Sequence, residues 1–172
     1  MIDKSLTKQA QKVVGLPCKI GIYRAIDEDT EMVDVFMKLI TDEGEEIGYT
    51  HTVTGKHSNT DLSDFDSHSQ CVSNVAAAFF MEHQDVSTLA VLDKVFVEPK
   101  WRKKGIGTFL ISATINKFLN KCVTLCACPY EKGGEVKSKK RKRELQFYYE
   151  NLGFQRIAQE TEDLYMQAVI RE

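Results

Sequence analysis

The chain has 172 residues, 42% hydrophobic and 28% charged, with three prolines and ten glycines, which excludes collagen-like and low-complexity chains. A chain of this length buries enough surface to fold without disulfides or a structural metal, and residues 1–172 are expected to form a single domain. The net charge of −2 conceals an asymmetry: residues 1–93 carry 16 acidic and 7 basic side chains (−9), and residues 94–172 carry 9 acidic and 16 basic (+7).

An acidic half beside a basic half suits one cationic and one anionic partner, unless both faces are merely solvated. No apolar run approaches the ~18 residues of a membrane helix. Met1–Ser5 lacks a signal-peptide core. Five cysteines, an odd count, predict reduced thiols in a cytoplasmic protein.

In chain order, Lys4–Val14 predicts a short helix ended by Gly15 and Pro17. Lys19–Ile26, Val33–Ile40 and Ile47–Val53 read as strands, with a turn signal at Asp42–Gly44 joining the last two into a hairpin. Lys56–Ser69 is polar and reads as a loop, and Cys71–His83 is alanine-rich and helical. Leu89–Val97 is a strongly apolar strand stopped by Pro99. Gly107–Asn120 predicts a helix whose apolar face includes Ile106, Leu110 and Ala113. Val123–Cys128 is a further strand, Glu131–Arg143 a charged excursion, and Glu144–Asn151 a helix ended by Gly153. Phe154–Ala158 and Leu164–Ile170 predict a terminal hairpin. The expected class is α/β.

Chemistry concentrates in Val95–Thr108, VFVEPKWRKKGIGT. A buried strand ends, a short loop follows, and two glycines open an amphipathic helix. Gly105 and Gly107 permit close backbone approach, and the helix N-terminus presents unpaired N–H groups with partial positive charge. Arg102, Lys103 and Lys104 add cations at the same point. The segment reads as a phosphate cradle; the competing reading is a tight strand-to-helix turn. It is not a P-loop, because G-x-x-x-x-G-K-[ST] is absent, nor a dinucleotide fingerprint, because position 110 is Leu.

The pattern R-x-x-G-x-G, preceded by V-x-P and followed by a helix, resembles motif A of the GNAT N-acetyltransferase superfamily. Downstream, Phe147–Phe154, FYYENLGF, resembles its motif B. The similarity covers Ser87–Ile170. It implies a mixed, mostly antiparallel sheet in which two parallel strands, Leu89–Val97 and Val123–Cys128, splay apart between flanking helices. Acetyl-CoA would be the co-substrate, with pantetheine against Val95, Phe96 and Val97. Its pyrophosphate would meet the N–H groups of Arg102, Lys103, Lys104, Gly105, Ile106, Gly107 and Thr108, with no metal.

The resemblance further implies direct attack of a primary amine on the thioester. Tyr149 stands where the family carries a general acid for the leaving thiolate; the alternative is a packing tyrosine. Tyr148 points about 100° away around the helix and is expected to pack. Asp93 is the expected base, on a strand face shared by residues 91, 93, 95 and 97 if alternation is unbroken. The competing reading of Asp93 is a solvated or salt-bridged carboxylate beside Lys94. His51 is the second candidate base.

Two features depart from the family. Lys142 replaces an Asn common seven residues before the motif B tyrosine, and the helices usual between the first two strands are missing. The acceptor therefore does not transfer by analogy. A small amine, a protein lysine or a protein N-terminus all fit, and the acidic clusters Asp27–Glu31 and Asp61–Asp66 would attract them. A homodimer is compatible with the resemblance; a membrane partner is not expected.

Two alternatives to catalysis remain. One is a non-catalytic acyl-CoA-binding module; the other is nucleic-acid binding through 137–143, a tract without interleaved aromatics. Cys122, Cys126 and Cys128 lack zinc-ligand spacing.

Overall fold

The computed structural model describes residues 2–28, 32–56, 69–83, 88–118, 122–127, 139–157 and 165–168. Helix α1 (Lys4–Val14) starts at Asp3, whose carboxylate accepts the N–H groups of Ser5 and Leu6 at 3.0 Å each. It ends at Gly15 in the left-handed conformation, φ 78°. Strands β1 (Cys18–Ile26), β2 (Val33–Thr41) and β3 (Glu46–Lys56) form an antiparallel meander. Helix α2 (Gln70–Glu82) is capped by the Ser69 hydroxyl on Val72 N–H. It precedes β4 (Thr88–Val97), a 3₁₀ turn at Pro99–Trp101, and α3 (Ile106–Lys117). Then follow β5 (Cys122–Cys126), α4 (Lys139–Asn151), β6 (Phe154–Arg156) and β7 (Tyr165–Ala168).

One seven-stranded sheet runs β1-β2-β3-β4-β5-β7-β6, antiparallel except for β4 and β5. Both of its faces are covered in part, by two separate apolar clusters. Ile20, Ile22, Val35, Met37, Leu39, Ala90 and Leu92 pack with Ala10 of α1 and Ile106, Leu110 and Ile111 of α3. On the other face Val53, Leu89 and Val91 pack with Val72, Val75, Ala76 and Phe79 of α2. β4 is therefore buried on both sides, as its unbroken apolar run requires.

The sheet departs from regularity where β3 meets β4. His51 pairs with Lys94 and Thr52 with Leu92, so Asp93 is an extra residue, a β-bulge. Before it, Ala90 and Leu92 face the α1–α3 cluster; after it, Val95 and Val97 do. The expectation that 91, 93, 95 and 97 share a face is thus corrected. The extra residue resets the alternation, and Val91 and Val95 lie on opposite faces.

The β4–β5 ladder runs from Leu89↔Cys122 to Leu92↔Leu125 and stops, while β4 continues to Val97. β5 itself ends at Cys126, one residue past its last pair, so among the described residues the stretch of β4 after the bulge pairs with β3 alone.

Another correction concerns α4. It begins at Lys139, so Lys139–Arg143 belong to the helix and not to the preceding excursion. Lysine and arginine are good helix formers, and a run of them extends a helix as readily as it fills a loop. The acidic residues Asp29, Glu31, Asp61, Asp64 and Asp66, the segment 131–138 and Cys128 lie outside the described residues.

Gly48 of β3 sits opposite Val97. A Cβ there would lie 2.5 Å from the Phe96 carbonyl oxygen and 3.2 Å from Val97 Cα. Both obstacles are backbone, so Gly48→Ala must push β4 away. It is expected to cost roughly 1–3 kcal/mol, as overpacking does, read as a lowered urea midpoint with unchanged slope. An unchanged midpoint would show that β4 yields freely at this point.

Candidate active site

The cradle is built by the turn after β4. Arg102 N–H bonds the Pro99 carbonyl (3.3 Å), and Arg102 Nε donates to the Val97 carbonyl (2.9 Å). Lys100 pairs with Glu45 in the β2–β3 turn, and Trp101 packs against the core with Lys104 Nζ 4.5 Å above its ring. Lys103 and Gly105 both take left-handed backbone, φ 63° and 78°. The first intrahelical bond of α3 is Phe109 N–H to the Gly105 carbonyl (2.9 Å), so the N–H groups of Ile106, Gly107 and Thr108 have no partner within the helix. Tyr148 of α4 and Val97 of β4 are the side chains nearest Gly107 in this turn.

The residues expected to contact the cofactor lie in three places. Gly105, Ile106, Gly107 and Thr108 form the donor end, and Lys103 and Lys104 flank it. Arg102 is turned back onto the end of β4, where it occupies the Val97 carbonyl. Val95 and Phe96 pair with β3 on one side, and on the side toward β5 no described residue pairs with β4 beyond Leu92.

Helix α4 brings two tyrosines to the same place. Tyr148 Oη lies 3.1 Å from Thr108 Oγ1, at the opening turn of α3. Burial raises its pKa, and the Thr108 hydrogen bond partly offsets that. Tyr148 therefore touches the cradle, although the sequence placed it in a packing role. Helical geometry alone could not show this, because the partner lies 40 residues away.

Tyr149 packs edge-on against Phe154, ring centroids 5.6 Å apart, and beside Tyr148 at 5.3 Å. Burial, with smaller contributions from Tyr148 and Cys126 at the end of β5, pushes its pKa up to about 12. The phenol therefore keeps its proton at any ordinary pH, as a general acid must before it donates.

On the other side of the bulge the two candidate bases are hydrogen-bonded to each other. Asp93 Oδ2 lies 3.0 Å from His51 Nδ1, and Asp34 Oδ1 of β2 lies 2.5 Å from His51 Nε2. The imidazole stacks flat on Phe36, centroids 4.4 Å apart and planes within 9°. Phe96 and Tyr49 continue this aromatic surface, with centroids 5.6 Å apart. The two carboxylates grip opposite edges of one ring and do not converge on a point. Among the described residues no cluster of His, Cys, Asp and Glu is arranged to hold a metal ion.

Residues 38–156, more than half of the sequence, match the family described as acetyltransferase (GNAT) domain. The chain belongs to the GNAT acetyltransferase family.

Solved structures agree on the fold. Arylalkylamine N-acetyltransferase 2 from Aedes aegypti aligns with a TM-score of 0.54 at 17% identity, covering 79% of this chain and 73% of that one. The mosquito arylalkylamine N-acetyltransferase-like protein 5b aligns with a TM-score of 0.50 at 12% identity, covering 77% and 71%. Among curated protein sequences, none is significantly similar. The described residues of this GNAT chain contain no helix long and apolar enough to cross a membrane.

Sequence reasoning missed Asp34 in this GNAT site. Val33–Ile40 reads only as a strand, and nothing in its letters singles out Asp34 from the other polar residue, Lys38. The effect of Asp34 on His51 has a measurable consequence. Burial alone would lower the imidazole's pKa, but hydrogen bonds to Asp93 and Asp34, together with their charges, outweigh burial and raise it above 6.5.

A folded pKa above the unfolded one stabilises the protein fully below the unfolded value. The contribution disappears as pH rises through the folded value. His51→Gln should therefore lose more unfolding free energy near about pH 6 than near about pH 9. Equal losses at both would show that the carboxylates do not hold the proton.

Proposed function

We propose that this protein is an acetyl-CoA-dependent N-acetyltransferase that moves the acetyl group to a primary amine by direct attack on the thioester. The observation that carries this is the coincidence, at one end of β4, of an unpaired strand edge and an open helix N-terminus. The first suits the amide-bearing pantetheine arm, which can add to a sheet edge as a strand does. The second suits a pyrophosphate. The left-handed residues Lys103 and Gly105 and the small Gly107 leave that helix end accessible.

The two ends of the splay then divide the proton work. The Asp93–His51 pair accepts the proton of the incoming amine. Tyr149, protonated and beside the end of β5, donates to the departing thiolate. The acceptor lies over the sheet face that carries Phe36, Tyr49, Phe96 and the carboxylates. Asp27 and Glu28 after β1 add to an acidic approach for a cation. Cys18, Cys71, Cys122 and Cys126 are not in disulfides, which suits a reducing, cytoplasmic setting.

The test is thiol release from acetyl-CoA in the presence of a panel of primary amines, including polyamines, lysine peptides and peptides with free N-termini. Amine-dependent release supports the reading. Tight acetyl-CoA binding with no release across the panel would instead make the protein an acyl-CoA-binding module.

A further inference from the structure

We propose that Asp93, His51 and Asp34 form one proton relay, in which His51 takes the acceptor's proton through Asp93 and Asp34 is the positioning residue that fixes the imidazole for the transfer. The inference rests on the acetyltransferase reading and assigns the fate of the amine proton within it.

The geometry argues against either residue acting alone. Both ring nitrogens of His51 are occupied, and the ring is clamped against Phe36, so the imidazole has no edge left for a substrate. Asp93 is the bulged residue just past the last β4–β5 pair, its side chain is 22% exposed, and its second carboxylate oxygen is the group that can meet an amine there.

The two unequal distances decide the tautomer. A neutral imidazole has one N–H and one lone pair, and a lone pair facing a carboxylate is repelled more strongly at 2.5 Å than at 3.0 Å. The proton therefore stays on Nε2, donated to Asp34, and the Nδ1 lone pair faces Asp93, ready to accept. Without Asp34 that preference disappears, and so does one of the two attractions that make the ring basic.

The proton balance is complete. An ammonium R–NH₃⁺ gives one proton to the outer oxygen of Asp93; the carboxyl group turns to present that O–H to His51 Nδ1, which takes the proton and leaves an imidazolium between two carboxylates. The freed amine lone pair forms the C–N bond with the thioester carbonyl carbon, and the C–S bond breaks. The thiolate takes a proton from Tyr149, which is restored by the second proton lost from nitrogen. The imidazolium discharges to water through Nε2 and Asp34, whose side chain is 23% exposed.

The charged groups facing the ring are Asp34 from β2 and Asp93 and Lys94 from β4. On the same sheet face, Lys38 is held by Glu46 at 3.1 Å, and Tyr23 of β1 flanks Phe36.

The test is the pH dependence of kcat/KM for the wild type, Asp34→Asn and Asp34→Glu, with the best amine of the panel. The wild-type rate should rise as His51 loses its proton. Asp34→Asn should move that acid limb to lower pH and lower the plateau at least about tenfold, and Asp34→Glu should recover part of both. A ¹⁵N titration of the His51 ring should show the same displacement without turnover.

An Asp34→Asn enzyme with an unmoved acid limb overturns the relay and leaves the acetyltransferase reading intact. A wild type with no amine-dependent turnover overturns both.

Discussion

Gly107→Glu is expected to abolish acetyl-CoA binding in calorimetry while the protein stays folded. A Cβ at 107 meets only Tyr148 Oη at 3.5 Å and Val97 Cγ2 at 3.8 Å, which are ordinary contacts. The backbone at 107 is helical, so a side chain there is not strained. A carboxylate in the first turn even favours the helix, by about 0.3–1 kcal/mol. The same carboxylate lies among the N–H groups of Ile106, Gly107 and Thr108, competes for them and repels a pyrophosphate. Gly107→Ala is the control: its methyl has room, and binding should persist. Wild-type binding by Gly107→Glu, in a protein with unchanged thermal midpoint, would remove this helix end as the anion site.

The second large effect is on turnover. Tyr149→Phe should lower kcat by about 10²-fold or more, the usual contribution of a positioned acid, with little change in the KM for acetyl-CoA. The ring keeps its edge contacts with Phe154 and Tyr148, so packing is preserved and only the proton is lost. An unchanged kcat would exclude Tyr149 as the acid and turn attention to Tyr148, whose hydroxyl is already fixed at the opening of α3.

What could be read from the sequence was what depends on neighbours in the chain. The strand-to-helix turn after β4, the end of α1 at Gly15 and the succession of strands along the chain follow from local spacing and turn residues. The FYYENLGF segment, too, marks its helix and the strand after it. The pairing of Asp93 with His51 and Asp34 does not, because those residues are 42 and 17 positions apart along the chain from the groups they touch. Period-two alternation misassigned the face of Val95 because one unpaired residue is invisible in a run of apolar letters. The reach of Tyr148 to Thr108 depended on where α4 docks, and no pattern within α4 encodes that. Nor did the sequence distinguish two rival bases from a single hydrogen-bonded unit.

The bulge makes Asp93 a guest in its own strand. Excising it would bring the two halves of β4 into one phase: Leu89 and Val91 would keep their side of the sheet, and Val95 and Val97 theirs. Lys94 would then stand alone opposite His51. The deletion heals the ladder and costs neither core a side chain, whereas removing Val91 would drive Leu92 onto the wrong face and Asp93 toward the core. Architecture and chemistry are thus separable at a single peptide unit. The sheet is complete without the residue that carries the carboxylate, so that position could be lost or gained without rebuilding the fold around it.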